Sequence, residues 1–113
     1  MGLKFYKLND EVLFSYKQLD LEEMVANTVD AAKEKHVPVV NMEGNKVLVE
    51  VGSVEHPMLD VHYITFILLE TNKGLYKHEL KPAEKPAAEF LLNEGEEVLA
   101  VYEHCNLHGV WKA

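Results

Sequence analysis

The 113-residue sequence predicts an all-β sandwich, and three observations carry that expectation. Short runs rich in β-branched and aromatic residues recur along most of the chain. Turn-forming clusters separate them at short, regular intervals. In Lys46-Val47-Leu48-Val49-Glu50-Val51, polar and apolar residues alternate, as in a strand with one buried face. With 48% hydrophobic residues, the chain can bury one real core.

Residues 3–8 and 12–18 flank Asn9-Asp10, a turn-forming pair, and read as a β-hairpin extension at the N-terminus. Residues 20–35 have a different texture. Asp20 and Glu23 have capping-box spacing, and Leu21, Met24, Val25, Thr28, Val29 and Ala32 fall at helical intervals, so local rules favour a helix. Strand-like runs follow at 37–42, 46–51, 62–69, 75–80, 87–92 and 98–105. Between them stand Glu43-Gly44-Asn45, Gly52-Ser53, Asn72-Lys73-Gly74, Pro82 with Pro86, and Asn93-Glu94-Gly95. These residues tolerate positive φ or preset a turn.

Charge and cysteine content narrow the function. Eleven lysines and no arginine stand against nineteen acidic residues, and a net charge of −8 makes nucleic acid a poor partner. A single cysteine excludes an internal disulfide, a CxxC dithiol and a Cys₄ metal site. The opening Met1-Gly2-Leu3-Lys4-Phe5-Tyr6 has neither the apolar core of a signal peptide nor the Ser or Thr of a myristoylation pattern. The most apolar stretch, 63–69, is seven residues long, against the roughly 20 that a membrane span needs. The expectation is a cytoplasmic protein without a membrane partner, whose lone Cys105 stays a thiol, a metal ligand or a nucleophile.

Four of the six histidines and that cysteine lie in turn-like settings, at intervals H-x₁₉-H-x₅-H-x₄₂-C-x₂-H: His36, His56, His62, Cys105 and His108. Taken singly, each histidine reads as a surface residue and Cys105 as a small core hydrophobe. Together they are five candidate donors, one more than a tetrahedral structural zinc uses. Imidazoles plus one thiolate suit iron in a square pyramid with a sixth position open. Gly109 leaves the backbone room to turn after Cys105-Asn106-Leu107-His108.

Four blocks then resemble the superoxide reductases, the desulfoferrodoxin and neelaredoxin group. They are Glu34-Lys35-His36-Val37-Pro38, Val51-Gly52-Ser53-Val54-Glu55-His56-Pro57-Met58, His62-Tyr63-Ile64 and Cys105-Asn106-Leu107-His108-Gly109-Val110-Trp111-Lys112, in family order over about residues 32–113. The resemblance implies an immunoglobulin-like seven-stranded β-sandwich that carries one mononuclear iron, Fe2+ or Fe3+, on loops at one end. It implies His36, His56, His62 and His108 as equatorial ligands and Cys105 as the axial thiolate. The implied activity is one-electron reduction of superoxide to hydrogen peroxide, a defence against oxidative stress, with rubredoxin as the expected external donor and a homodimer as the expected assembly. Glu34 would hold the sixth position of the resting site, and Lys35 would place a cation beside the open face of a protein that otherwise repels an anion. Backbone N–H groups at Asn106 and Leu107 would point at the Cys105 sulfur. Pro38 and Pro57 read as supports for the ligand loops, Trp111, Tyr63 and Tyr102 as packing, and His78 and His104 as solvent-facing.

The N-terminal part departs from the family. Lys4-Phe5-Tyr6-Lys7 resembles the opening strand of a rubredoxin-like domain, yet Leu8, Glu11, Tyr16 and Lys17 stand where its four cysteines would fall. Residues 1–31 are therefore expected to be a degenerate desulforedoxin-like segment without metal, and 32–113 the iron-binding sandwich. Against the helical reading, the resemblance implies an extended connection over 30–36, and 20–29 stays open between the two. Two other readings share the residues: an iron or nitric-oxide sensing module without turnover, and a zinc-stapled structural sandwich.

Overall fold

A computed structural model describes residues 2–27 and 36–113. Their ten strands form three antiparallel sheets. Strands β1 (Lys4–Leu8), β2 (Glu11–Ser15) and β3 (Glu22–Met24) make an N-terminal sheet in the order β2-β1-β3. Strands β4 (Pro38–Glu43), β5 (Lys46–Val51) and β8 (Ala87–Leu91) make a second, in the order β4-β5-β8. Strands β6 (Ile64–Thr71), β7 (Gly74–Glu79), β9 (Val98–Cys105) and β10 (Gly109–Lys112) make the third, in the order β10-β9-β6-β7. The second and third sheets are the seven-stranded sandwich. The seventh strand is β10, four residues long and too short to register in the sequence pattern.

The alternation over 46–51 is realised in β5, where Val47, Val49 and Val51 are buried and Lys46 and Glu50 are exposed. These valines meet Ile67 and Leu69 of β6, Ala88 and Phe90 of β8, and Val101 and Cys105 of β9 in the core between the two sheets. Strand β9 is buried on both faces. Its Ala100 and Tyr102 point the other way, with Phe66 and Leu68, into a second core closed by Phe5 of the N-terminal sheet. The Phe5 and Tyr102 rings stand 4.9 Å apart.

The helix favoured by local rules over residues 20–35 does not form in its described part. Glu22–Met24 is a strand that pairs with β1 (Phe5↔Met24, Lys7↔Glu22), and Asn27 bridges to Trp111. The free edge of β1 and the apolar face over Met24 and Ala26 outweigh a weak helical propensity, since helix stability comes mainly from packing. The N-terminal hairpin is thus a three-stranded sheet, with Asn9 at φ 55° in its turn. Where the missing cysteines would stand, hydrogen bonds connect the chain. The Tyr16 hydroxyl donates to Glu70 of β6 at 2.7 Å, and the Tyr6 hydroxyl donates to the Lys17 carbonyl and accepts from Leu19 N–H. Of the extended connection expected over 30–36, residues 30–35, including Glu34 and Lys35, lie outside the described residues, and the described end, His36, is helical rather than extended.

Candidate metal centre

Strand register gathers the site at one end of the sandwich. The start of β4 lies beside the end of β5 (Pro38↔Val51), and the start of β6 and of β10 lie beside the end of β9 (Ile64↔Cys105, Gly109↔Cys105). The chain before β4, the β5–β6 loop and the β9–β10 turn therefore meet there, each carrying candidate ligands. Local chemistry fixes each loop. His56 N–H donates to the Val51 carbonyl, and Leu59 and His62 exchange two backbone hydrogen bonds that close a tight turn. A bulge between Ile64 and Phe66 re-aims β6 as it leaves that loop. Gly109 sits at φ 86°, in the left-handed region that a side chain would strain. Asn106 joins two ligand loops: its side chain accepts from Tyr63 N–H at 2.9 Å and donates to the Val61 carbonyl at 3.0 Å.

All five predicted residues lie together, and four of them, His56 excepted, bring donor atoms into one tight group. The four imidazoles form a closed ring, His36–His56–His62–His108, with successive centroids 4.9, 4.8, 5.0 and 4.8 Å apart and each pair edge to face. Donor atoms of His36, His62, Cys105 and His108 lie within 4.8 Å of one another. His36 Nε2 and His108 Nδ1 are 3.1 Å apart, and Cys105 Sγ is 3.7 Å from the same Nδ1. Two imidazole nitrogens on one ion, with bonds of about 2.1 Å, stand about 3.0 Å apart at a right angle and about 3.4 Å apart in a tetrahedron. At 3.1 Å, the two nitrogens are close enough to reach one ion. His36 and His56 are buried, whereas the ring opens to solvent at His108.

The donors fit a cation. His56 Nδ1 bonds the Pro57 carbonyl at 2.7 Å, so this nitrogen carries the proton and Nε2 carries the lone pair. That Nε2 is buried and meets no hydrogen-bond partner among the described residues. A buried lone pair without a partner is costly unless an ion takes it. Burial also holds the His56 pKa down to about 4, which keeps the imidazole neutral and able to ligate. Burial pushes the Cys105 thiol up, while N–H groups of Leu107 and His108 point at the sulfur and oppose that rise. Leu107 was expected in this role; Asn106 instead donates its N–H to the Tyr63 carbonyl, and His108 supplies the second donor.

Other residues divide. Glu34 and Lys35 lie outside the described residues, so their relation to the ring is left to the sequence motif. His78 is exposed, as expected. His104 is not solvent-facing: it points away from Cys105, bonds the Thr65 hydroxyl at 2.6 Å and stacks on Phe66 at 5.5 Å. An apolar outer core beneath the N-terminal sheet explains the difference. Two features had no sequence signal. Glu103 of β9 is fully buried with neither carboxylate oxygen hydrogen-bonded among the described residues, and burial raises its pKa well above the usual range. Trp111 stacks on His36, centroids 4.6 Å apart and planes 16° from parallel.

The chain is similar in sequence and fold to known proteins. The desulfoferrodoxin family model matches residues 28–113. The desulfoferrodoxin of Syntrophotalea carbinolica is 51% identical over 87 residues, covering 77% of this chain and 68% of that protein. The desulfoferrodoxin homolog of Archaeoglobus fulgidus is 44% identical over 90 residues, covering 80% and 70%. Among solved structures, the superoxide reductase of Treponema pallidum superposes with a TM-score of 0.88 at 39% identity, covering 100% of this chain and 99% of that one. The superoxide reductase (1Fe-SOR) of Giardia intestinalis gives a TM-score of 0.62 at 34% identity over 72% of this chain and 96% of that one.

Proposed function

This chain belongs to the desulfoferrodoxin family, and from that premise we propose that it is a superoxide reductase: superoxide, one electron and two protons yield hydrogen peroxide. The observation that carries the proposal is the closed ring of four imidazoles with one cysteine sulfur beside it, a donor set too large for tetrahedral zinc and suited to one iron. His36, His56, His62, His108 and Cys105 are the residues that would hold it. Bound there, iron would supply the one-electron couple and an open position for an anion. The rest of the reaction falls to the chain's own groups.

Four neutral imidazoles add no charge and the Cys105 thiolate adds one negative charge, so a bound di- or trivalent ion would leave the site cationic within a protein of net charge −8. Lys35 would add a positive charge that draws superoxide in, and Glu34 would supply a carboxylate to the resting site. Leu107 and His108 N–H groups hold the Cys105 sulfur and moderate its donation. With no second metal centre in residues 1–31, the electron comes directly from an external donor such as rubredoxin. Residues 32–113 are the iron-binding domain. A lone thiol suits the reducing cytoplasm, and a homodimer is the assembly the family resemblance favours.

The test combines a spectrum with turnover. Oxidised protein shows a visible thiolate-to-iron band and consumes superoxide without releasing oxygen. A colourless, zinc-loaded protein overturns the proposal in favour of a structural module. A coloured protein that a donor cannot turn over overturns it in favour of a sensor.

A further inference from the structure

Trp111 is 1% exposed, yet it belongs to neither apolar core cluster. Its contacts are with the ring of ligands instead. The indole lies nearly parallel to His36 at 4.6 Å, and its Nε1–H donates to the His108 carbonyl at 3.2 Å. One side chain thus touches two neighbouring ligands, the pair whose donor nitrogens are 3.1 Å apart.

The backbone beneath it is held from both sides. On one side β10 pairs with β9, Trp111 opposite Glu103. On the other, Asn27 N–H donates to the Val110 carbonyl and Lys112 N–H donates to the Asn27 carbonyl, both at 2.8 Å. A large planar group on so constrained a strand has little freedom to tilt. The imidazole stacked on it loses the same freedom, and the His108 carbonyl cannot turn without breaking the indole bond.

We propose that Trp111 is a positioning residue of the metal centre, fixing the plane of His36 by stacking and the backbone of His108 by hydrogen bonding so that Nε2 and Nδ1 are held within reach of one ion. The inference rests on the metal-centre reading above. Partners that orient ligands in this way typically account for about 10–100-fold in metal affinity.

The full chain, freed of metal, is titrated with Co2+ while its visible thiolate band is followed, and each variant is melted in parallel. Trp111→Leu, which removes both contacts, is expected to bind Co2+ about 10–100-fold more weakly. Trp111→Phe, which keeps a ring over His36 but has no N–H, recovers part of that loss and shifts the thiolate band, because the His108 carbonyl is released. Val47→Ala, a cavity at the end of β5 away from the Val51 end that borders the ligand loops, lowers the melting temperature without weakening Co2+ binding. The proposal is overturned if Trp111→Leu binds like wild type, if Val47→Ala loses as much affinity, or if phenylalanine rescues nothing. Should the leucine variant fail to fold, Trp111→Phe decides alone: wild-type affinity together with an unshifted band overturns the role. A wild-type chain that takes no Co2+ into a thiolate site overturns the metal-centre reading and this inference together. Binding that is equal in wild type and both Trp111 variants overturns only this one.

Discussion

Asn106→Ala separates the joining of the ligand loops from stability in general. The change removes two side-chain hydrogen bonds, from Tyr63 N–H at 2.9 Å and to the Val61 carbonyl at 3.0 Å, and leaves the Asn106 N–H bond to the Tyr63 carbonyl intact. Each bond contributes about 1 kcal/mol net, less where exposed, so the loss is about 1–2 kcal/mol. For a domain of this size that is a fall of roughly 4–8 °C in melting temperature. Those bonds also set the His62 loop against the turn carrying Cys105 and His108, so metal affinity falls as well. Asn72→Ala is the matched control. Its side chain likewise accepts from one backbone N–H (Glu97, 2.8 Å) and donates to one carbonyl (Gly95, 3.3 Å), at the opposite end of the sandwich. Melting curves and Co2+ titrations of the two variants give the answer: similar thermal losses, with weaker metal binding in Asn106→Ala alone. Equal loss of affinity in both variants, or none in Asn106→Ala, refutes the reasoning.

Further outcomes follow from the same structure. Phe5→Ala leaves a cavity between the N-terminal sheet and the sandwich and costs about 3 kcal/mol by urea unfolding, with the metal site intact; loss of metal would show the two layers to be coupled. Glu96 accepts hydrogen bonds from Thr71, Tyr76 and Asn93, which lower its pKa from 4.5 to about 2. Its stabilising effect is present above pH 4.5 and lost as pH falls through about 2, so Glu96→Gln flattens the acid limb of a stability profile across that window. Lys35→Met retains the metal but slows the superoxide step and weakens its dependence on ionic strength, since steering acts over a Debye length of roughly 10 Å. Pulse-radiolysis rates unchanged at every salt concentration would remove Lys35 from the mechanism.

The sandwich was legible because a half-buried strand writes its own alternation. Val47, Val49 and Val51 show the inner face before any partner strand is known. Strand β3 was illegible for the opposite reason: Glu22-Glu23-Met24 has no alternation to read, and its pairing exists only because β1 offers an edge and Phe5 an apolar surface. His104 was misjudged as exposed because what covers it comes from outside its own strand. The residue types of the site were legible, since only a few side chains bind a metal and the chain concentrates them in its turns.

The sequence by itself determined the chemistry available: four loop histidines and one cysteine, a donor set for a metal ion, in a chain of net charge −8. Tertiary structure decided the geometry. Residues 6 to 72 positions apart become corners of one ring because antiparallel register brings three loops to one end of the sandwich. It also decided which nitrogen of His56 is free to ligate, since the Pro57 carbonyl claims the Nδ1 proton and leaves the lone pair on the buried Nε2. Composition names the donors, but a metal responds to distance and angle, and those exist only after the sheets have packed.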